Sequence, residues 1–407
     1  MSVDPFGKGG LHEAEVVLKA HGVDAFFREA AERTGDSHVV IDGRKVLMAG
    51  SHDYLGLSTH PHVVEAAVRA VRRWGTTVSG SRPLSGSLVL HRELEDRLAA
   101  FLGQEAATLT NSGFQANLAL SSLMGRHDVV FADARNHASL VDAARLGWGR
   151  VHRYKNLDQL GKQLADAPSG TGRLILTDGV FSMDGDAADL RGLRALADHH
   201  GAKLVVDAAH DMGVLGARGR GLVEHCGLDD RVDLISVTLS KSLASIGAAL
   251  AGPAAHVNYL RTNARPILYS VAVPPASAAA ALAALDVVET EPERRRHVLD
   301  LAEGLHNGLR RMGLDTRPST TPVVPVRFAD MATAGAFWAA LFEAGVFTNL
   351  VGPPASGTAM LRLTLTANHD ETHLATVLEA CDRAARQLGV PRVPDIPEVA
   401  LTRSEVA

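Results

Sequence analysis

Short apolar segments alternate with amphipathic helical patterns from residue 61 to about residue 275, and this alternation constrains the fold more than any other feature. The predicted strands are 107–110, 129–132, 173–177, 203–206, 232–238 and 248–251. Helical periodicity lies between them, in 92–102, 115–124 and 190–200. Strands that alternate with helices predict an α/β domain with a mostly parallel central sheet and helices on both faces. Ligands bind such a sheet at the carboxyl ends of its strands.

The regions on either side have a different pattern. Residues 1–58 read as an N-terminal segment with a helical part at 14–33 and a hairpin that turns at Asp42-Gly43. From residue 289, helical patterns at 292–312 and 333–344 alternate with the apolar segments VVPVRF, VFTNLV and LRLTLT, which predicts a smaller α+β domain. The predicted limits are therefore 1–58, a large domain at 59–288, a small domain at 289–395 and a tail at 396–407.

Composition and charge exclude several classes of protein. A net charge of -5 over 407 residues, with no dense basic block, argues against a nucleic-acid partner. No apolar run reaches the roughly 18 residues of a membrane span, and the N-terminus lacks the apolar region of a signal peptide. Cys226 and Cys381 stand alone, so we expect a reducing, cytoplasmic location and no metal site.

Two of the predicted strands end in residues that suit carbonyl chemistry. Lys241 follows strand 232–238, and an amine on such a loop can be desolvated to form a Schiff base with an aldehyde, although most lysines are solvated surface charges. Asp207 ends an apolar strand, where a carboxylate requires a cationic partner such as a protonated pyridine nitrogen. His210 could then bind the ring hydroxyl or the substrate. The alternative for this pair is a helix-capping Asp with a chance His.

Two further strand ends could complete a cofactor site. Ser112, Gly113 and Phe114 precede a helix and can form a phosphate cradle or simply a helix cap. His137 follows strand 129–132 and could stack on a planar ring or serve the structure alone. An amine, a carboxylate, a stacking ring and phosphate donors are together what pyridoxal phosphate requires.

Eight motifs then occur in order along the chain. They are SHDYLGL, GSRPLSGSLVLHRELE, TNSGFQAN, NHASLVD, DGVFSMDGD, VDAAHDMGVLGARGRG, TLSKSLASIG and LRLTLTANH. From about residue 40 to about residue 385 the chain resembles the α-oxoamine synthases, a group of fold-type-I pyridoxal-phosphate enzymes. The resemblance implies the fold-type-I transferase architecture, a large α/β cofactor domain with a smaller α+β C-terminal domain.

The resemblance also implies the cofactor residues. Lys241 would carry the cofactor, Asp207 would pair with its pyridine nitrogen and His210 with its ring oxygen, and His137 would stack on the ring. Contacts to the phosphate end or beside the ring fall on Ser112, Gly113, Phe114, Ser182, Thr238 and Ser270. Ser270 matches a hydroxyl that a second subunit lends to the phosphate, so the resemblance implies a homodimer with shared active sites.

Substrate residues follow from the same resemblance. Arg362 would bind the carboxylate of the amino acid as a charge-assisted fork, and His52 lies where a side chain often faces that substrate. Arg82 and His91 fall in the acyl-thioester region, with roles on a helix surface as the alternative.

The implied reaction condenses an amino acid with an acyl thioester, carried by coenzyme A or a carrier protein, and releases carbon dioxide to give an α-amino ketone. Lys241 would move the proton, and His137 and His210 would polarise the incoming carbonyl. Another pyridoxal-phosphate activity, such as an aminotransferase or aldolase, and a non-catalytic partner subunit are the alternatives. Departures from the motifs at His52, Ala208, Ala248 and Val271 leave the substrates open and favour an unusual acyl donor in secondary metabolism.

Overall fold

The computed structural model describes residues 11–317, 319 and 321–391, and the predicted tail at 396–407 lies outside them. Contacts between residues divide the chain into two compact units. The first unit comprises the described residues up to Tyr54, the short stretch Met183–Asp186 and the described residues from Arg296 onward. The second unit comprises Leu55–Ser182 and Ala187–Arg295. The described N-terminal residues therefore belong to the same unit as the C-terminal region.

The strands and helices have the following bounds. The strands are β1 Ala30–Thr34, β2 His38–Ile41, β3 Arg44–Met48, β4 Ala106–Thr110, β5 Val129–Asp133, β6 Arg150–Tyr154, β7 Arg173–Asp178, β8 Lys203–Asp207, β9 Leu234–Thr238, β10 Ala248–Gly252, β11 Val324–Phe328, β12 Val346–Phe347, β13 Asn349–Val351 and β14 Ala359–Leu363. The helices are α1 Leu11–Ala20, α2 Pro61–Trp74, α3 Val89–Leu102, α4 Gly113–Ala119, α5 Ala138–Leu146, α6 Leu157–Ala165, α7 Leu190–His200, α8 Leu222–His225, α9 Ala254–Asn263, α10 Arg265–Leu268, α11 Pro275–Thr290, α12 Glu293–Arg311, α13 Met331–Glu343 and α14 Glu371–Leu388.

A seven-stranded sheet forms the centre of the second unit, in the order β4-β10-β9-β8-β7-β5-β6. The strands from β9 to β6 are parallel, and β10 runs antiparallel to both of its neighbours. Every residue of β5, β9 and β10 is buried, as expected for strands covered on both faces. The predicted α/β fold with a mostly parallel sheet is therefore confirmed.

The register of this sheet brings acidic and hydroxylated residues side by side at the carboxyl ends of its strands. Asp178 at the end of β7 lies opposite Asp207 at the end of β8, and Asp207 lies opposite Ser236 of β9. β9 then ends at Thr238, three residues before Lys241. The predicted location of the site at strand ends is thus built into the pairing.

The first unit contains two smaller sheets, β1-β2-β3-β12 and β11-β14-β13. Positive φ angles at Asp42 and Gly43, 51° and 73°, give the predicted tight turn between β2 and β3. The helical prediction for 14–33 is wrong beyond Ala20, because residues 30–34 form β1 and pair with β2. The sequence AAERT of β1 favours a helix by itself, and pairing with a neighbouring strand overrides that preference.

Within the described residues, no helix combines the length and the apolar character that crossing a membrane requires.

Candidate active site

Asp207 is a buried carboxylate at the carboxyl end of β8, only 5% exposed. Its Oδ2 accepts a hydrogen bond from Nδ2 of Asn117 at 2.6 Å, and its Oδ1 accepts one from the backbone N–H of Ala209 at 3.0 Å. These donors are neutral, so they orient the carboxylate without balancing a charge. A buried carboxylate in this setting favours a cationic partner, and a protonated pyridine nitrogen would be one.

A second buried carboxylate, Asp178, lies beside Asp207 on the neighbouring strand β7. Its Oδ2 accepts a hydrogen bond from the backbone N–H of His137 at 2.7 Å. Burial, and next the neighbouring Asp207, raise the pKa of Asp178 well above its usual range, while the His137 N–H and the Lys241 ammonium act in the opposite direction. Asp178 thus interacts electrostatically with a second acid and with an amine at one end of the sheet, and its raised pKa follows from burial and the neighbouring acid.

Lys241 lies on a tight loop between β9 and β10. The loop is closed by the backbone bonds Leu239 N to Gly247 O and Ser245 N to Leu239 O, both 2.9 Å. Ala244, three residues after the lysine, has a φ of 46°, in the left-handed region that a side chain disfavours. The amine is therefore presented by a constrained segment of backbone.

The start of α4 lies against the end of β9. A Cβ added to Gly113 would lie 3.4 Å from Oγ1 of Thr238, so a glycine allows the close approach. Ser112 caps the helix through its Oγ, which accepts from the backbone N–H of Gln115 at 3.2 Å. Phe114 is 42% exposed and meets the ring of His137 edge-on at 6.5 Å. Ser112 therefore caps the helix, which was one of its two predicted roles. Its other predicted role, binding the phosphate, stays a prediction.

Ser270 also lies beside the start of α4. Its Oγ accepts a hydrogen bond from Nε2 of Gln115 at 3.2 Å, and the neighbouring carbonyl of Val271 accepts one from Asn111 at 2.5 Å. Within one chain, Ser270 is therefore held next to the same helix. Its predicted role in a partner's site stays a prediction.

His137 and His210 both follow buried strands. His137 is the N-cap residue of α5, with Nδ1 2.7 Å from Oγ of Ser139. His210 is 5% exposed and comes three residues after Asp207, and its neighbour Asp211 is a fully buried acid whose pKa burial raises to about 7. Ser182 is the last residue of the second unit before the stretch Met183–Asp186.

The predicted amino-acid site lies in the first unit. Arg362 of β14 is 8% exposed, and its Nη2 donates to Nε2 of His52 at 2.6 Å. The ring of His52 lies 6.1 Å from that of Tyr54. A buried guanidinium in this setting is suited to bind a carboxylate. The structure therefore brings together Arg362 and His52, the two residues predicted for the amino acid.

The two residues predicted for the acyl thioester have structural partners instead. His91 is fully buried, its Nδ1 accepts from the backbone N–H of Leu88 at 3.1 Å, and its Nε2 donates to the carbonyl of Val273 at 2.7 Å. Arg82 forms a two-pronged ion pair with the buried Glu95, at 2.9 and 3.0 Å. A fully buried ring with both nitrogens engaged favours a structural role for His91, and its substrate role stays a prediction. For Arg82 the contacts favour the structural alternative.

Sequence reasoning missed several residues of this site. Asp178 ends its strand just as Asp207 does, and that signal could have identified it. Asn117 and Ser139 lie inside two of the ordered motifs, TNSGFQAN and NHASLVD, but the motifs alone did not indicate a role for them. Only the folded chain places Asn117 next to Asp207 and Ser139.

The second unit has a donor set that fits pyridoxal phosphate. Its amine and acid pair suit an aldehyde and a pyridine nitrogen, and the hydroxyl of Thr238 beside Gly113 is a donor for a phosphate. When bound, that cofactor supplies an aldehyde for an amine and an electron-withdrawing ring.

Comparison with known proteins gives concordant matches. The aminotransferase class I and II family matches residues 44–381. The chain is 40% identical over 377 residues to a serine palmitoyltransferase of Sphingobacterium spiritivorum, covering 91% of this chain and 94% of that one. It is 41% identical over 381 residues to an 8-amino-7-oxononanoate synthase of Geotalea daltonii, covering 92% and 97%.

Solved structures extend the comparison. A serine palmitoyltransferase of S. paucimobilis, with a bound pyridoxal phosphate–myriocin aldimine, superimposes with a TM-score of 0.90 at 32% identity and covers 93% of this chain and 97% of that one. An 8-amino-7-oxononanoate synthase of Francisella tularensis superimposes with a TM-score of 0.71 at 27% identity, covering 85% and 99%.

Proposed function

The chain belongs to the aminotransferase class I and II family and, within it, to the α-oxoamine synthases, and from that premise we propose its substrates, the roles of its site residues and its assembly. It is a pyridoxal-phosphate-dependent C-acyltransferase. Its reaction class is the condensation of an amino acid with an acyl thioester, with loss of carbon dioxide, to give an α-amino ketone.

In the proposed assignment, Lys241 holds the cofactor by a Schiff base and moves the proton of the substrate's α-carbon. Asp207 favours a proton on the pyridine nitrogen, because it is a buried carboxylate whose hydrogen bonds from Asn117 and the backbone N–H of Ala209 come from neutral donors. Thr238, Ser112, Gly113 and Phe114 hold the phosphate end, His137 packs on the ring, and His210 and Ser182 lie beside it. The observation that carries the assignment is the electrostatic interaction of Lys241 with Asp178, whose strand neighbour is Asp207.

Arg362 and His52 together bind the carboxylate of the amino acid in this proposal. The guanidinium supplies the charge, and its contact with His52 fixes its orientation before substrate arrives. Binding by the carboxylate alone selects an amino acid without selecting its side chain.

We take L-serine and an unbranched long-chain acyl thioester as the first substrates to test. The serine palmitoyltransferase structures superimpose on this chain with TM-scores of 0.84 to 0.90, compared with 0.71 for the 8-amino-7-oxononanoate synthase structure. Sequence identity does not separate the two activities, since it is 40% and 41% for the first relative of each name. The product name of the second activity implies alanine and a seven-carbon dicarboxylic acyl group, and these are the second pair to test.

A homodimer with shared sites is the proposed assembly. Leu84, Tyr269 and Val271 are 85%, 80% and 48% exposed and line one surface pocket together with Ser270. Such a group of exposed apolar side chains is typical of a protein interface. If a second subunit covers this surface, Ser270 of one subunit lies close to the cofactor site of the other.

The test supplies the purified enzyme with each amino acid and each acyl thioester in turn. Release of carbon dioxide and of free thiol in equal amounts, with a product of the condensed mass, is the expected result. Lys241→Ala should abolish both releases, and Lys162→Ala, at an exposed lysine of α6, should leave them unchanged. Transfer of the amino group without thiol release would instead identify an aminotransferase.

A further inference from the structure

Asp207 and His137 are joined inside the second unit by a continuous chain of hydrogen bonds. Nδ2 of Asn117 donates to Oδ2 of Asp207 at 2.6 Å and to Oγ of Ser139 at 2.8 Å. Oγ of Ser139 in turn lies 2.7 Å from Nδ1 of His137. Asn117 and Ser139 are each 1% exposed, so bulk water does not compete for these bonds.

Chemistry fixes the direction of each bond in this chain. An ionised carboxylate only accepts hydrogen bonds, so the amide of Asn117 must turn its nitrogen toward Asp207. The second hydrogen of that nitrogen then occupies a lone pair of Ser139 Oγ. Among the residues that the structure describes, the acceptor within hydrogen-bond distance of the Ser139 hydroxyl is Nδ1 of His137. Ser139 therefore donates to His137.

Nδ1 of His137 also receives a second donor. The backbone N–H of Ser139 lies 3.3 Å away and caps α5 through this nitrogen. A backbone N–H can only donate, so Nδ1 must be the unprotonated nitrogen of the ring. In a neutral imidazole the remaining proton then lies on Nε2.

We propose that Asn117 and Ser139 are positioning residues that hold His137 as the neutral Nε2–H tautomer and link that state to the charge of Asp207. This inference rests on the proposed function, in which both end residues face the cofactor ring. Asp207 favours a positive charge on that ring, and an imidazolium packed on it would oppose the same charge. A neutral His137 removes the conflict and keeps Nε2–H as a donor toward a substrate oxygen.

The tautomer is measured directly by nitrogen NMR on the full chain labelled with ¹⁵N-histidine, with and without pyridoxal phosphate. The His137 signals are assigned by their loss in His137→Asn. At neutral pH we expect a protonated Nε2 and an unprotonated Nδ1 in the wild-type protein. A protonated Nδ1 would overturn the proposal, and this result needs no variant of the relay to fold.

Three variants test the relay itself. Ser139→Ala should populate the Nδ1–H tautomer to a measurable fraction, because one of the two donors to Nδ1 is lost. Ser139→Thr keeps the hydroxyl and should restore the wild-type tautomer. Ser122→Ala is the matched control, since its hydroxyl donates to the carbonyl of Ala119 and takes no part in the relay. An unchanged tautomer in Ser139→Ala would show that the hydroxyl is not needed.

Turnover provides the second readout. Ser139→Ala should lower kcat on the order of tenfold, the effect of one lost hydrogen bond, and leave KM for the amino acid unchanged. Ser139→Thr should recover kcat. If no amino acid and acyl thioester react at all, the proposed function fails while the tautomer result still stands. If the reaction proceeds and the tautomer is insensitive to Ser139, the relay alone is refuted.

Discussion

Arg362, which is buried, and Arg82, which is partly buried, contact different partners and so differ in role. The guanidinium of Arg362 donates a hydrogen bond to His52, whereas the guanidinium of Arg82 donates two to the carboxylate of the buried Glu95. A guanidinium already paired with a buried carboxylate stabilises the fold, and here Arg82 supplies two of the charged hydrogen bonds to Glu95, with Arg261 supplying another at 3.1 Å. Arg362 contacts the ring of His52, and in the proposed function its guanidinium binds the carboxylate of the amino acid.

Substituting lysine separates these roles. Arg362→Lys loses the planar fork, so KM for the amino acid should rise about tenfold or more, with KM for the acyl thioester unchanged. Arg82→Lys is the comparison, and it should lower the melting temperature while leaving both KM values unchanged. Steady-state kinetics and thermal unfolding measure both. A rise in the acyl-thioester KM of a fully stable Arg82→Lys enzyme would restore the predicted substrate role of Arg82.

Backbone strain beside the lysine makes a second prediction at the scale of a residue. Ala244 has a φ of 46°, and a non-glycine residue in this region is disfavoured by about 1–2 kcal/mol. Ala244→Gly should therefore raise the free energy of unfolding by about 0.5–1 kcal/mol, after allowing for the larger entropy of an unfolded glycine. Ala375→Gly, in the ordinary helical backbone of α14, should lower it by a similar amount. A loss of stability in both variants would mean that the loop is not strained.

Among the elements, α12 carries a buried histidine that sets a pH dependence. His306 is 5% exposed, and neither of its ring nitrogens has a hydrogen-bond partner among the described residues. Burial, and next the charge of Arg310, lower the pKa of His306 to about 3. The folded state thus holds a neutral imidazole that the unfolded chain protonates near pH 6.5. Its contribution to stability is complete above that pH and is lost as the pH falls toward 3.

His306→Met should remove this loss of stability at low pH. At pH 7.5 the variant should have a modestly higher free energy of unfolding, because methionine replaces an unpaired polar ring in the apolar core. Between pH 6.5 and 4 its advantage over the wild type should grow by up to about 1.4 kcal/mol per pH unit. Urea unfolding at several pH values measures the difference, and His127→Met, at an exposed histidine, is the control. A constant difference across pH would show that His306 takes up a proton in the folded state.

The elements also show where sequence patterns are sufficient. Strands buried on both faces, such as β5, β9 and β10, have apolar runs that reveal them. The edge strand β6, RVHRY, has four of its five residues at least partly exposed, and it was not predicted. Its polar sequence is tolerated because only one side of an edge strand pairs. A strand that forms by pairing with its neighbour, and has a polar sequence of its own, has no apolar run by which to predict it.

For the whole molecule, the proposed dimer can be tested by mixing chains. Lys241→Ala and Ser270→Ala should each reduce activity alone. If a site uses Lys241 from one subunit and Ser270 from the other, mixed dimers contain one intact site and activity returns on mixing. Activity that stays at the sum of the two separate variants would show that each site is complete within one chain.

The interface is tested separately. Leu84→Asp places a charge on the exposed apolar surface and should shift the protein from dimer to monomer, as measured by sedimentation velocity. Leu146→Asp, at an exposed leucine at the end of α5, should leave the dimer intact. A wild-type protein that sediments as a monomer at every concentration would refute the assembly.

The sequence alone determined the α/β class, the place of the site at the strand ends, the cofactor and the reaction class, because periodicity and ordered motifs are properties of adjacent residues. Tertiary structure alone decided which polar groups meet. Asn117 and Ser139 join Asp207 to His137, Glu95 engages Arg82, and His91 is enclosed. The hydrogen bond between Asn117 and Asp207 and the burial of His91 depend on distances between residues that are far apart in the chain, and those distances exist only after folding.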